Sequence, residues 1–389
     1  MSFHQPISCR KYELDLIKRD VCLYLEIMSK LSEQKGASIL FPGLAPYFSL
    51  FIVEAHKYLN KNLPNYKNSL SNQINTIITA ARMRVKFFDD THKGISGTFN
   101  LLKWVSDFHE EWHIKRHKGI LSPIQRYVQD DIGIFFYESH IINSTHTGIL
   151  NLGYAQGDLP NTSEGVSAHI SKLSFSIGEG FGSYISNICS LPEFAVTDAD
   201  FGNFIYNVKE EKLKYKDDKS DKLLQRIFNK STSTETNLSL LLFLTQVNYL
   251  QYILTGTVVA EHYTLFKIKY ILLYHLASSL RKLRDDNQFA SSLTSRSVTY
   301  IEDIILDTSL IELISKRQFR NILVHYGIPA ALGGILSPEI EFYGLVEHFF
   351  NGDPYSKVLE QVNHQLNRTS QILEEWLDWE VKQQELKSW

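Results

Sequence analysis

A stretch without any charged residue, from Thr236 to Ala260, restricts the possible folds of this chain more than any other segment. Its sequence, "TNLSLLLFLTQVNYLQYILTGTVVA", is long enough to cross a bilayer, which takes roughly 20 apolar residues. However, Gln246, Asn248 and Gln251 lie in its middle, where polar groups are costly in lipid but are readily hydrogen-bonded in a protein core. The segment therefore favours a buried central helix, with a membrane span as the alternative.

Apolar residues at helical spacing recur along the chain and predict a mainly α protein. The pattern predicts helices over 12–33, 46–60, 68–88, 97–117, 236–260, 261–284, 297–326 (with a break left open) and 355–387. Residues 141–207 are the least periodic and fit loops, short strands or broken helices. Within them, the alternate glycines of "SIGEGFGSYIS", 176–186, indicate a flexible turn or a close helix contact, because a phosphate loop would need a preceding strand and a following Lys-Ser/Thr pair.

A segment dense in charge and then in serine and threonine, 207–237, separates the two halves of the sequence. It is typical of a domain boundary, which we place near residue 230, or of a solvated helix face followed by a loop. We predict an N-terminal helical module of unknown role, 1–230, followed by a C-terminal helical bundle, 231–389.

Composition limits the classes of partner and the compartment. Hydrophobic residues make up 43% and charged residues 21% of the chain, as in ordinary globular proteins, and the net charge is −3. The chain therefore has no overall basic field, and any polyanion site must be a local patch. The three cysteines form no C-x-x-C pair, which predicts free thiols in a reducing compartment. The polar, charged N-terminal sequence has no apolar signal core, so a cytoplasmic location without a membrane is expected.

One short stretch, "FRNILVHYGIP", 319–329, combines a helical apolar face with three polar side chains. The apolar face consists of residues at i, i+3, i+4 and i+7 spacing: Phe319, Ile322, Leu323 and Tyr326. The polar residues off that face are Arg320, Asn321 and His325. Gly327 is expected to end the helix in a left-handed conformation, and Pro329 prevents continuation, so His325 is placed in the last turn.

These three residue types suit phosphodiester chemistry. Histidine moves protons near neutral pH, so His325 is the candidate acid or base. Arginine binds phosphate and stabilises charge that develops on its oxygens, so Arg320 is the candidate phosphate ligand. Asn321 would orient either group. Such a scheme needs neither a metal ion nor another cofactor.

The "RNILVHY" segment resembles the Arg-Asn-x-x-x-His signature of the HEPN superfamily, whose small helical-bundle domains occur in ribonucleases. The preceding aromatic-rich stretch "EHYTLFKIKYILLYHLASSLRKL", 261–283, is similar to the long helix that packs beside the motif in that family. The resemblance covers roughly residues 236–387. It implies a HEPN-like bundle of four or five helices in the C-terminal part, and a homodimer that places two Arg–His pairs in one cleft.

The activity implied by the resemblance is metal-independent cleavage of RNA by the ribose 2′-hydroxyl, which leaves a cyclic phosphate. Arg320 would then bind phosphate, His325 would act as acid or base, and Asn321 would support them. Many members are toxins or antiviral-defence effectors, so the expected partners are single-stranded or structured RNA, a second copy of the chain and an inhibitory protein. Other members bind without cleaving, which makes a non-catalytic nucleotide- or RNA-binding interaction module the alternative.

A structural role is also open for the same motif residues. Arg320 would then cap a helix elsewhere or pair with Glu312 or another acid, and His325 would be a satisfied histidine at a helix end.

A second candidate site is "HEEWH", 109–113, which matches the H-E-x-x-H zinc pattern. His109 and His113 would bind the ion and Glu110 would activate water, as in a zinc hydrolase. A third ligand would come from elsewhere, with Glu138 and His140 as candidates. The alternative is that both histidines border an ordinary amphipathic helix. The basic "IKRHKG", 114–119, fits a solvated helix end or an RNA backbone contact.

Overall fold

The computed structural model describes residues 7–63, 66, 70–89, 94–111, 130–153, 163–194, 208–227, 233–255, 263–286, 290, 293–378 and 386–388. Its helices in the first half of the chain are α1 (Ile7–Ser32), α2 (Ala37–Asn62), α3 (Asn72–Arg84), α4 (Gly94–His109), α5 (Thr145–Asn151), α6 (Ser163–Cys189) and α7 (Ser220–Ile227). Those of the second half are α8 (Thr234–Asn248), α9 (Tyr263–Asp285), α10 (Ser295–Ile305), α11 (Thr308–Ile314), α12 (Arg317–His325), α13 (Leu345–Phe349) and α14 (Tyr355–Leu377). The prediction of a mainly α protein is confirmed.

A small antiparallel sheet accompanies the helices. Its strands are β1 (Ile132–Tyr137), β2 (His140–Ser144), β3 (Leu213–Asp218) and β4 (Lys387–Ser388), in the order β2-β1-β3-β4. Strand β3 lies in the charged segment for which the sequence predicts a domain boundary or a solvated helix. Only Leu213 of this strand is buried, and its charged side chains are half-buried or exposed. The sequence does not indicate this strand, because lysine and aspartate are rare in strands and interrupt the alternation of apolar residues.

Helix α6 lies within the segment with the weakest periodicity, 141–207, where the sequence predicts no continuous helix. One glycine of this helix, Gly180, is required by close packing, since a Cβ atom there would lie 2.8 Å from Cγ2 of Ile74 in α3. The close helix contact expected for the glycine-rich stretch is therefore present, and the flexible turn is not. Gly178 and Gly182 face open space.

Helix α2 runs through the core and packs on both α3 and α12. Nearly all its side chains from Ile39 to Ala55 are buried, and among them are Ser49 and the carboxylate of Glu54. At Gly43 a Cβ atom would lie 2.4 Å from the ring of Tyr249, so only glycine allows α2 to approach the turn that comes after α8.

Helix α8 contains the first half of the charge-free stretch, and all its side chains from Thr236 to Asn248 are buried. Ser233 caps it by accepting a hydrogen bond from the backbone N–H of Thr236 at 3.2 Å. A π-helical turn, Tyr249–Thr255, continues it. By length and composition α2 and the Thr234–Thr255 helix are able to cross a membrane, but 83% of each apolar window is buried inside the protein, as in the core helices of soluble proteins.

The long helix predicted over 297–326 is broken into α10, α11 and α12. Asp307 begins α11 by accepting a hydrogen bond from the backbone N–H of Leu310 at 2.9 Å. The helix predicted over 355–387 ends at Leu377, because Asp378 adopts a left-handed conformation with φ 47°. Residues 387–388 are instead strand β4.

The buried side chains of the described residues form one connected hydrophobic core that draws on both sides of residue 230. Helix α12 packs on α2 as well as on α9, and α8 packs on α4 and β2. The division into two modules stays a prediction. Cys9 and Cys22 are buried and Cys189 is half-buried, and none of the three forms a disulfide with another described residue.

Candidate functional site

Helix α12 has the apolar face that the sequence predicts. Phe319, Ile322 and Leu323 are almost fully buried, and Tyr326, directly after the helix, has 1% of its surface exposed. The helix ends differently from the prediction, because Tyr326 and not Gly327 is the left-handed residue, with φ 60°. A non-glycine residue at positive φ costs about 1 kcal/mol or more, so the contacts of Tyr326 must offset that cost.

Those contacts lie in a buried polar cluster beneath the helix end. The hydroxyl of Tyr326 donates to Asp20 of α1 and accepts a hydrogen bond from Nζ of Lys267 of α9 at 2.9 Å. Lys267 also forms a buried ion pair with Asp20. Burial lowers the pKa of Lys267, while the charge of Asp20 opposes that shift. This cluster fixes the end of α12, and with it the backbone of the neighbouring His325.

His325 lies at the surface with one ring nitrogen held from below. Its Nδ1 atom is 2.7 Å from Oε2 of Glu54, and 48% of the side chain is exposed. A carboxylate accepts only, so Nδ1 carries the proton and Nε2 is the nitrogen able to accept one. Buried carboxylates orient histidines in this way in acid–base catalysts, and they stabilise the imidazolium that forms.

Glu54 is the buried centre of a charged cluster, with 2% of its side chain exposed. Its Oε1 atom accepts hydrogen bonds from Arg82 of α3 and from Lys57 at 3.2 Å. Burial raises the pKa of Glu54, but the hydrogen bond from His325 and the charges of Arg82, His325 and Lys57 outweigh it and lower the pKa to about 2. The carboxylate is therefore ionised at neutral pH and keeps His325 oriented.

Arg320 points to a different neighbour. Its guanidinium lies over the ring of Tyr274 of α9, with Cζ 4.7 Å from the ring centroid. Its charge acts on His275, whose pKa is lowered by burial and, to a smaller extent, by Arg320. The expected alternative pairing with Glu312 is absent from the described residues, where Arg320 forms no ion pair with any acid.

The structure does not bring the three predicted side chains together within one chain. Positions five apart on a helix are separated by about 140° around its axis, so Arg320 and His325 contact α9 and α2 respectively. Asn321 is half-buried on α12. Among the described residues these three side chains make no hydrogen bond or ion pair with one another.

The zinc site predicted at 109–113 falls partly outside the described residues, because His113 is not among them. His109 is 4% exposed and stacks on His146 of α5, with ring centroids 3.9 Å apart. Glu110 comes next in a short π-helical turn. His140 pairs with Glu374 at 2.7 Å, and Glu138 with Lys212. No group of three or more His, Cys, Asp or Glu side chains in the described part of the chain is placed to hold a metal ion. The basic segment 114–119 also lies outside the described residues.

Three residues around His325 were not predicted from the sequence: Glu54, Lys57 and Arg82. Only Glu54 has a signal in the sequence, because it is a single charged residue within the mostly apolar stretch "YFSLFIVEA", 47–55, of α2. A charge in that position is buried only when it is paired, so it indicated a basic partner elsewhere in the chain without naming it.

Comparisons with protein-family models, with curated proteins and with solved structures found no match. The resemblance to the HEPN superfamily therefore rests only on the "RNILVHY" motif and the aromatic-rich stretch 261–283.

Proposed function

We propose that this protein is a metal-independent endoribonuclease in which His325 moves protons at the ribose. The Nε2 atom of His325 accepts the proton of the 2′-hydroxyl while its oxygen forms a bond to the neighbouring phosphorus. The bond from phosphorus to O5′ breaks, and O5′ takes a proton from the imidazolium of a second copy's His325. The products are a 2′,3′-cyclic phosphate and a 5′-hydroxyl.

The single observation that supports this proposal most is the contact between His325 and Glu54. It places the proton on Nδ1 and leaves Nε2 as the basic nitrogen of a side chain that is 48% exposed. A histidine that only satisfied a helix end would need no buried carboxylate. The two cations beside Glu54 add a local positive patch to a chain whose net charge is negative.

Arg320 and Asn321 are proposed to hold the RNA backbone, with Arg320 neutralising phosphate. Since Arg320 and His325 of one chain face different helices, the proposal includes a homodimer in which the motifs of two chains share one RNA-binding cleft. A role as a toxin or antiviral-defence effector in the cytoplasm, restrained by an inhibitory partner protein, belongs to the same proposal.

A non-catalytic RNA- or nucleotide-binding module is the second candidate. The observation that favours it is the position of Arg320 on Tyr274, away from the contacts of His325. Such a module would bind RNA without changing it.

The test uses the full-length protein and structured RNA in buffer with EDTA. Cleavage that leaves cyclic-phosphate ends is expected for the natural chain and should be lost in His325→Asn. Asparagine suits this test because its side-chain amide is able to donate to Glu54 as Nδ1 does, yet it offers no base. The matched control is His364→Asn, at an exposed histidine of α14, and it should cleave normally.

The two candidates give different results in this experiment. Intact RNA that co-purifies or comigrates with the natural chain would favour the binding module. Cleavage that persists in His325→Asn, with an unchanged melting temperature, would contradict the assignment of His325. Growth arrest on expression of the natural chain, but not of Arg320→Ala or His325→Ala, would support a toxic role.

A further inference from the structure

We propose that a cavity between α2 and α3, beside Glu54, binds a phosphomonoester such as inorganic phosphate or a nucleoside monophosphate. The cavity has a volume of about 200 Å³. Its polar lining consists of His56, Lys57, Asn75, Thr79 and Arg82, and the apolar part includes Ile52 of α2. Such a site would exist whether or not the protein cleaves RNA.

Arg82 is the decisive residue, because it lines the cavity with only 9% of its side chain exposed. Its Nη2 atom donates to Glu54 and its Nη1 atom to the sulfur of Met83 at 3.4 Å. Its Nε atom is buried and has no hydrogen-bond partner among the described residues. Because Nε has no accessible surface, Nη1 is the atom that would bind a ligand: the sulfur of Met83 is a weak acceptor, and phosphate oxygens are the acceptors that arginine binds best.

Lys57 supplies the second cation, with 60% of its side chain exposed at the mouth of the cavity. Glu54 balances one of the two positive charges, so Lys57 and Arg82 together with Glu54 leave one net positive charge for an anion. An ammonium with three donors is able to bond a phosphate oxygen without releasing Glu54.

The remaining polar side chains supply neutral hydrogen-bonding groups. His56 holds the hydroxyl of Tyr66 through Nδ1 at 3.0 Å, and burial lowers the pKa of His56, with a further contribution from Lys57. Thr79 and Asn75 lie one turn apart on the exposed side of α3. None of these side chains is acidic, so no lining residue repels an anion.

The size of the cavity selects the ligand. Pockets for drug-sized molecules occupy roughly 300–1,000 Å³, so a cavity of about 200 Å³ suits a phosphate with at most a nucleoside partly outside it. An internal phosphate of RNA has a nucleotide on each side, and both would have to fit in or around the cavity. A phosphomonoester has a substituent on one side only.

The experiment is calorimetric titration of the full-length protein with inorganic phosphate and with 5′-AMP, and with adenosine as the ligand without phosphate. Binding of phosphate and AMP, but not of adenosine, is expected at constant ionic strength. Lys57→Gln should weaken both affinities by roughly 10-fold, because it removes a charge-assisted hydrogen bond. The matched control Lys61→Gln removes the same charge one turn further along α2 and should change affinity by less than about two-fold.

Arg82→Lys provides the second variant, since it keeps a positive charge for Glu54 but removes the planar fork that carries Nη1. It should also weaken phosphate binding by roughly 10-fold. If Arg82→Lys unfolds, the exposed Lys57→Gln variant still decides the question. The inference fails if phosphate and AMP do not bind at millimolar concentration, if adenosine binds as well as AMP, or if Lys57→Gln and Lys61→Gln bind phosphate equally. None of these outcomes depends on RNA cleavage.

Discussion

Arg82 of α3 and Glu54 of α2 form an ion pair in which 9% of the arginine side chain and 2% of the glutamate side chain are exposed. The pair joins two helices of the N-terminal half, while the other oxygen of Glu54 holds His325 from the C-terminal half. Buried pairs of this kind contribute little net stability as a unit, but the loss of one partner leaves the other charge uncompensated.

Glu54→Gln should therefore destabilise the protein by about 3 kcal/mol at neutral pH. The amide cannot compensate the buried guanidinium of Arg82, although it has nearly the same shape as the carboxylate. Urea denaturation followed by circular dichroism would measure the change. Asp107→Asn is the matched control, because Asp107 forms an exposed pair with Lys103 on α4 and its loss should barely alter the free energy of unfolding. Equal effects of the two substitutions would contradict the buried pair.

We also expect the stability of the protein to depend on pH through the carboxylate of Glu54. The pKa of Glu54 falls from 4.5, its ordinary value, to about 2 in the folded chain. The ionised carboxylate therefore contributes about 3 kcal/mol to the free energy of unfolding above about pH 4.5, and this contribution is lost as the pH falls toward 2. The difference in unfolding free energy between the natural chain and Glu54→Gln should shrink over that interval. A difference that stays constant from pH 6 to pH 3 would show that Glu54 keeps an ordinary pKa.

Much of α12 could be predicted from the sequence, because helical spacing is a local property. The burial of Phe319, Ile322 and Leu323 is expected from their positions alone. The residue that holds His325 could not be predicted in this way, since Glu54 lies 271 positions earlier in the chain. A single sequence shows that a residue is unusual among its neighbours, but it does not show which distant residue contacts it in the fold.

The end of α12 shows why a local rule fails when tertiary contacts oppose it. Glycine is the usual left-handed residue, which favoured Gly327. Tyr326 takes that conformation because Asp20 and Lys267 bond its hydroxyl inside the core. Helix α6 was missed for a related reason, since the packing of Gly180 on Ile74 is invisible to periodicity.

Tyr326→Phe should destabilise the protein by about 1–3 kcal/mol, because it removes the hydroxyl that bonds both Asp20 and Lys267 and leaves the ring in place. The comparison is Tyr300→Phe. Its exposed hydroxyl makes two long contacts, from Nη2 of Arg296 at 3.3 Å and to the backbone of Glu375 at 3.4 Å, so its loss should have a much smaller effect. Chemical denaturation of both variants tests the expectation. A neutral Tyr326→Phe would mean that the cluster does not stabilise the left-handed helix end.

Two glycines of α6 should respond in opposite directions to alanine. Gly182→Ala meets open space and should stabilise the protein by about 0.5–1 kcal/mol through helix propensity. Gly180→Ala places a methyl group 2.8 Å from Ile74 and should destabilise it, or at least cancel that gain. Thermal melting of the pair measures the difference. Equal gains at both positions would show that α6 does not pack closely on α3.

The position of Glu54 also has a practical consequence for anyone who dissects this chain. A fragment beginning at residue 231 would carry the arginine, asparagine and histidine of the motif but would lack the carboxylate that aligns the imidazole. An inactive C-terminal fragment would consequently say nothing about the intact molecule, whereas restored activity on adding the missing half as a separate polypeptide would show that the two halves build the site jointly.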